Sequence, residues 1–188
     1  HYLETFDILK DAEHGATFLL NAPFKTEEVW HHIPYKIQNE IKEKQLKFYV
    51  INASKVAKET GMGSRINSIL QTCFFAISNI MPKEAAITAI KNAVKKTYGK
   101  KGEAVVQKNF DAIDKTLENL CLIDYATLAI GHIEITPAVT DDAPDFVKNV
   151  LGKIIAGDGD ELPVSAFPAD GTYPSATTKY EKRNIKKY

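Results

Sequence analysis

From Lys47 to Ile80 the chain reads KFYVINASKVAKETGMGSRINSILQTCFFAISNI. Lys47-Phe48-Tyr49-Val50-Ile51 opens the stretch as a run rich in aromatic and β-branched residues, the pattern of a buried strand. After Asn52 comes a glycine-framed loop, Gly61-Met62-Gly63-Ser64, leading into a helix. Its apolar stripe falls at Ile66, Ile69, Leu70, Cys73, Phe74, Ile77 and Ile80, a spacing of 3.6 residues held over about four turns. Ser64 stands at the expected N-cap, where its oxygen can take an unpaired amide of the first turn. Arg65 follows directly. Two glycines, free amides and a guanidinium suit a bound anion. The plainer alternative is a capped core helix whose arginine faces water.

Outward from this stretch the order is helix, strand, helix, strand, helix. Tyr2 to Ala12 reads as a helix with Leu3, Phe6 and Leu9 on one stripe. Ala16 to Asn21 is an uninterrupted apolar run, as in a strand covered on both faces. Thr26 to Trp30 reads as a short turn of helix, and Tyr35 to Lys44 as a helix with Ile37 and Ile41 inward. This is the rhythm of a doubly wound α/β layer, although only two strands are legible. Pro82 opens a helix over Lys83 to Tyr98 that Gly99 stops, and Gly102 to Leu120 follows as its antiparallel partner. The lysines between them, Lys95, Lys96, Lys100 and Lys101, read as a solvated face near a helix C-terminus. Tyr125 to Ile135 reads as an extended connector. Ala143 to Ala156 is one more helix, capped by Asp141-Asp142 and stopped by Gly157. From Leu162 onward Pro163, Pro168 and Pro174 interrupt a stretch without period, a strap whose aromatics Phe167, Tyr173 and Tyr180 imply packing. The fold class is therefore α/β: an incomplete Rossmann-like three-layer domain, with helices on a small, mainly parallel sheet, a helical hairpin and an extended C-terminal strap. The expected division is residues 1–122 for the α/β domain and 123–188 for the strap.

The 188 residues carry 24 lysines and arginines against 24 aspartates and glutamates, so no general basic surface for nucleic acid is expected. No apolar run approaches a membrane span. The chain has no starting methionine and opens inside a helical pattern, which reads as an excised segment. Cys73 and Cys121 are too far apart for a paired metal or cluster spacing, and two reduced, buried thiols are expected. His31-His32 point different ways on a turn. His132 and Glu134 share one face of an extended segment but lack a third ligand. Ser165 and Ser175 lack the glycine-framed elbow of a hydrolase nucleophile. Gly61-Met62-Gly63 is neither a dinucleotide fingerprint nor a P-loop.

Read together, Gly61-Met62-Gly63-Ser64-Arg65-Ile66-Asn67 and Gln71-Thr72-Cys73-Phe74-Phe75-Ala76 are specific. So are Leu162-Pro163-Val164-Ser165-Ala166-Phe167, Asp170-Gly171-Thr172 and Tyr180-Glu181-Lys182-Arg183-Asn184. The chain resembles the single-chain pyruvate:ferredoxin (flavodoxin) oxidoreductases over nearly its whole length, through Gly15 to Asn21, Leu46 to Ile51 and Tyr98 to Gly102. The resembling region is the second half of the gamma-type domain plus the EKR segment that leads to the ferredoxin-like domain. The resemblance implies an intact enzyme that decarboxylates pyruvate on thiamine diphosphate and Mg2+, passes electrons along [4Fe–4S] clusters to ferredoxin or flavodoxin, and yields acetyl-CoA. It implies that those cofactors sit in other domains, with none bound to this segment, and that the segment alone is inactive. It also implies a homodimer when intact and a cytoplasmic enzyme, or a hydrogenosomal one in a protist. For this segment it implies help in holding coenzyme A, with Arg65 on a phosphate and Asn67 supporting the loop, and docking to neighbouring domains. A purely structural interdomain scaffold is the alternative.

Overall fold

The structure, a computed structural model, describes residues 2–4 and 6–181. Two compact units divide it: residues 12–33 with 38–131, and residues 1–11 with 34–37 and 132–188.

The larger unit is built on three strands in the order β1-β2-β3. Strands β1 (Thr17–Asn21) and β2 (Lys47–Ile51) pair in parallel over five residues, Thr17 opposite Lys47 through Asn21 opposite Ile51. The expected strands form where the apolar runs stand, but β1 is half-buried rather than covered on both faces, because it is an edge of the sheet. The connector expected after Leu120 supplies a further strand, β3 (Cys121–Leu122), antiparallel to β2. A sheet mainly parallel at its core is thus closed on one side by a short antiparallel edge.

Each face of the sheet has its own packing, as a period of two requires. On one face Phe48 meets Phe18 at 5.3 Å and Trp30 at 6.4 Å between ring centres, and Trp30 stacks on Tyr125 at 5.6 Å. Helix α1 (Tyr35–Glu43) reaches this side: its Lys42 lies over the Trp30 ring. Buried Gln38 of α1 donates to the Trp30 carbonyl at 2.6 Å and accepts from the Gly131 amide at 2.6 Å. On the other face Ile51 and Leu19 pack with Val56 and Ala57 of α2 (Ala53–Glu59), Ile69 and Cys73 of α3 (Asn67–Ile77), and Ala112 of α5 (Glu103–Asn119). Helices on both sides of a small, mainly parallel sheet make the α/β, Rossmann-like partial domain that the apolar pattern implies.

Helix α2 is an addition, since the residues between Asn52 and the loop at Gly61 are assigned to no element by the sequence pattern. Two asparagines build it. Asn52 accepts from the Lys55 amide at 2.9 Å and donates to the Pro23 carbonyl at 3.1 Å. Asn21 accepts from the Ala53 amide at 3.0 Å. The first turn is therefore capped from the ends of both parallel strands. Helix α4 (Lys83–Tyr98) and α5 form the hairpin. Ile90 and Val94 pack on Val106 and Ile113, and Phe75 of α3 and Phe110 flank them.

In the smaller unit Ala143, Val147 and Leu151 form a core with Val139, Ile155 and Tyr180. The helix expected over 143–156 is present from residue 145. It is wound as a π-type stretch over Val147–Leu151 and becomes regular only in α6 (Gly152–Ala156), with Gly157 in the left-handed region as its stop. Gly152 is tightly enclosed. A Cβ there would stand 3.2 Å from the Val147 carbonyl oxygen and 3.3 Å from a Val139 methyl.

The helix expected over Tyr2 to Ala12 does not form. Only a 3-10 turn at Tyr2–Glu4 is helical. Leu9 is buried nonetheless, and the ends of the segment are held by Lys36–Asp7 at 2.6 Å and Lys10–Asp158 at 3.1 Å. Eleven residues are marginal for a helix on their own, and distant partners use the apolar stripe differently. The strap contains 3-10 turns at Gly159–Glu161 and Val164–Ala166 and the short α7 (Thr178–Glu181). Lys182, Arg183 and Asn184 lie outside the described residues. Among the described residues no helix is long and apolar enough to cross a membrane.

Replacing Gln38 by leucine would leave the Gly131 amide unpaired and strip the Trp30 carbonyl of one of its two donors, the Ile33 amide at 3.2 Å remaining. The expected cost is about 2–3 kcal/mol, read from the urea midpoint, with far-UV circular dichroism unchanged. A loss under about 0.5 kcal/mol would show that the bridge does not hold the connector.

Candidate functional site

The glycine-framed loop follows α2. Gly61 and Gly63 both stand in the left-handed region, at φ 68° and 65°, where a side chain costs about 1 kcal/mol or more. Between them Met62 is buried in the core beneath, and its amide returns to the Ala57 carbonyl at 2.8 Å. Arg65 then folds back on the loop. Its amide and its Nε both donate to the Met62 carbonyl, at 3.3 and 3.2 Å.

This arrangement corrects the expected cap. Helix α3 begins at Asn67, its N-cap is Ile66, and no side chain bonds to its first turn. Ser64 is two residues before the actual N-cap, because the turn held by Met62 and Arg65 uses up the residues that would have been the first turn. Arg65 stays exposed with Nε tied to the loop, and no carboxylate pairs with its guanidinium among the described residues. Asn67 is exposed on the first turn of α3. The structure thus brings Arg65 and Asn67 to one end of one loop.

A second cation, Lys108 of α5, joins them, and sequence reasoning missed it. A Cβ placed on Gly61 would meet the Lys108 stem at 3.5 Å and its Nζ at 3.7 Å. Lys108 is exposed and makes no ion pair among the described residues. It stands far from Gly61 along the chain, and only the packing of α5 beneath α2 and α3 brings it there. A glycine-lined loop flanked by a guanidinium and an ammonium, neither neutralised, can hold a phosphate through charge-assisted hydrogen bonds.

A second place is suited to ligands by topology, since open α/β sheets bind at the carboxyl ends of their strands. There a cleft of about 440 Å³ is lined by Phe24, Lys25, Asn52, Lys55 and Asn119 among others. Its carbonyl and amide groups are partly committed to capping α2. The length of α2, about 10 Å at 1.5 Å per residue, separates it from the Arg65 loop.

The other candidates do not assemble. His31 and His32 are exposed on a 3-10 turn, with His32 stacked on Phe24 at 3.7 Å. His132 and Glu134 are exposed and lie in no strand. Among the described residues no three His, Cys, Asp or Glu side chains gather as metal ligands. Cys73 is wholly buried behind the loop and Cys121 half-buried on β3. Burial pushes the Cys73 thiol up from 9.0 to about 12, so it is inert as a nucleophile or ligand at neutral pH.

Residues 1–119 match the family model described as pyruvate ferredoxin/flavodoxin oxidoreductase. The chain belongs to this family. Residues 132–186 match a second model, EKR, described as a domain of unknown function. Among curated relatives, this chain is 50% identical over 185 residues to the putative pyruvate-flavodoxin oxidoreductase of a Synechocystis strain. It is 52% identical over 190 residues to the pyruvate-flavodoxin oxidoreductase of Trichormus variabilis. With the pyruvate:ferredoxin oxidoreductase of Moorella thermoacetica the identity is 44% over 184 residues. Each match takes in 98% of this chain and 15–16% of the relative. The chain therefore spans about one-sixth of the length of these oxidoreductases.

The raised Cys73 pKa predicts a pH dependence of stability. A thiol that keeps its proton when folded and loses it near 9.0 when unfolded contributes fully below pH 9, and the contribution drains away as pH climbs toward about 12. The slope is at most about 1.4 kcal/mol per pH unit. Urea midpoints of the parent should fall more steeply than those of Cys73→Ala between pH 9 and 11. Parallel curves would show that the thiol is not the source.

Proposed function

We propose that the chain is a segment of a pyruvate:ferredoxin or flavodoxin oxidoreductase and that, within it, the Arg65 loop helps to hold coenzyme A. The observation that carries the first part is identity of about 50% over almost the whole chain with enzymes of that name. The second part is supported by two cations at one loop, Arg65 folded back on Met62 and Lys108 with its stem against Gly61, neither in an ion pair among the described residues. Asn67, exposed beside Arg65, supports the loop. In the intact enzyme pyruvate loses carbon dioxide, two electrons leave for ferredoxin or flavodoxin, and the acetyl group ends on the thiol of coenzyme A.

Thiamine diphosphate, Mg2+ and [4Fe–4S] clusters belong, on this reading, to other domains of the same polypeptide. The residues here do not fit them: a cluster takes four thiolates, and this chain has two cysteines, one of them buried and protonated. What this chain's residues contribute is binding. Arg65 is braced by Met62 and directs its remaining nitrogens to a phosphate, and Lys108 adds a mobile point charge. The segment by itself is inactive, and the intact enzyme is a homodimer. Its compartment is the cytoplasm, or a hydrogenosome in a protist.

A second reading has its own observation. Phe74 on α3 is 50% exposed, and Ile80 and Met81, in the bend that follows the helix, are 64% and 39% exposed. Such a patch suits docking against neighbouring domains, and the segment would then be an interdomain scaffold without a ligand.

The two readings part in the intact enzyme carrying Arg65→Ala. Reduction of the clusters by pyruvate in the absence of coenzyme A should match the parent. The apparent affinity for coenzyme A, from acetyl-CoA formation, should fall about tenfold, the loss of one charge-assisted contact. Lys55→Ala, in the cleft at the strand ends, should leave that affinity unchanged. If Arg65→Ala behaves as the parent in both half-reactions, the scaffold reading is the better account.

A further inference from the structure

The tip of the α4–α5 hairpin carries Lys95, Lys96, Lys100 and Lys101 within seven residues, with no acid between them. The rest of the chain is left with 20 basic residues against 24 acidic ones, so positive charge is concentrated here. All four side chains are exposed, and among the described residues none pairs with a carboxylate. Lower on the same hairpin two lysines are neutralised, Lys91 at 2.7 Å from Asp114 and Lys115 at 3.4 Å from Glu118, whereas Lys108, like the tip lysines, makes no ion pair among the described residues.

The helix dipole accounts for only half of the cluster. Lys95 and Lys96 sit in the last turn of α4, where cations are favoured by a few tenths of a kcal/mol to about 1 kcal/mol. Lys100 and Lys101 lie in the 3-10 turn Gly99–Lys101, immediately before the N-cap of α5 at Gly102. The positive end of the α5 dipole disfavours cations there, and only Glu103 offsets them. Two of the four ammonium groups are also held over aromatic rings. Lys95 lies over the Phe110 ring at 5.6 Å and Lys101 over Tyr98 at 5.5 Å, which lowers the entropy lost when a partner fixes them. Lys96 and Lys100 are unencumbered.

We propose that this hairpin tip is a docking surface for an acidic protein. On the reading given above, on which this rests, that protein is the flavodoxin or ferredoxin that takes the electrons. Four ammonium groups spread over exposed stems match distributed carboxylates on another protein's face. A nucleic acid would need a wider basic footprint than a chain of zero net charge supplies. Complementary patches of this kind raise association rates by tenfold or more at low ionic strength and lose that advantage in salt.

The test uses the intact enzyme and the paired variant Lys96→Glu/Lys100→Glu, with Lys96→Gln/Lys100→Gln as the milder pair. Pyruvate-driven reduction of flavodoxin is measured beside reduction of methyl viologen, a small cationic dye that needs no docking surface. The expected result is a KM for flavodoxin raised about tenfold at low salt in the glutamate pair and less in the glutamine pair. Rates with viologen stay at the parent level, and the salt dependence of the parent's KM is lost. Intact viologen rates with an unchanged KM for flavodoxin would overturn the docking proposal alone. If the unmutated enzyme gives no pyruvate-dependent viologen reduction, the oxidoreductase reading itself falls, and this proposal with it.

Discussion

The parallel register of β1 on β2 is the constraint from which the rest follows. A parallel pair cannot be closed by a two-residue hairpin, so the chain must leave the end of β1, cross the sheet and return at Lys47. The crossover supplies Trp30 and α1, and these cover the face that Phe48 presents. Both strands then end side by side, which places Asn21 and Asn52 together over the first turn of α2. Helix α2 in turn delivers the chain to Gly61. The phosphate-suited loop is thus a consequence of strand pairing some distance away, transmitted through two asparagine side chains.

The loop joins rigidity to open charge. Met62 is anchored in the core and accepts two hydrogen bonds from Arg65, so the backbone is held without using the terminal guanidinium nitrogens. Lys108 approaches from a different helix, and Gly61 leaves the space its stem occupies. A related design recurs at the hairpin tip, where the ammonium groups of Lys95 and Lys101 rest over the Phe110 and Tyr98 rings and pair with no carboxylate among the described residues. In both places the protein orders a cation while leaving its charge unmatched, and such a group suits recognition better than stability.

Much of the larger unit was legible before the structure. Lys47 to Ile51 and Lys83 to Tyr98 were readable to the residue, because strong apolar runs were bounded by Asn52, by Pro82 and by Gly99. Helix α2 was not, since seven residues give too few turns for a period to declare itself, and its cap comes partly from Asn21 on another strand. Ser64 misled for a local reason: a serine before an apolar run resembles a cap, yet the Met62–Arg65 turn delays α3 to Asn67. Tyr2 to Ala12 had a helical stripe, but ion pairs with Lys36 and Asp158 and the burial of Leu9 decided its path. Of the site, Arg65 and Asn67 could be read from one motif. Lys108 could not, because nothing in a local pattern brings α5 beside Gly61.

Strand β1 leaves one edge of the sheet open, with Phe18, Leu19 and Leu20 only half-buried along it. Open edges pair with copies of themselves unless charge or geometry prevents it. Here the chain carries equal numbers of acidic and basic residues, so no long-range repulsion keeps copies apart at neutral pH. The consequence is colloidal: the purified segment is least soluble near neutrality, and it is best handled dilute and a unit or two of pH away from it.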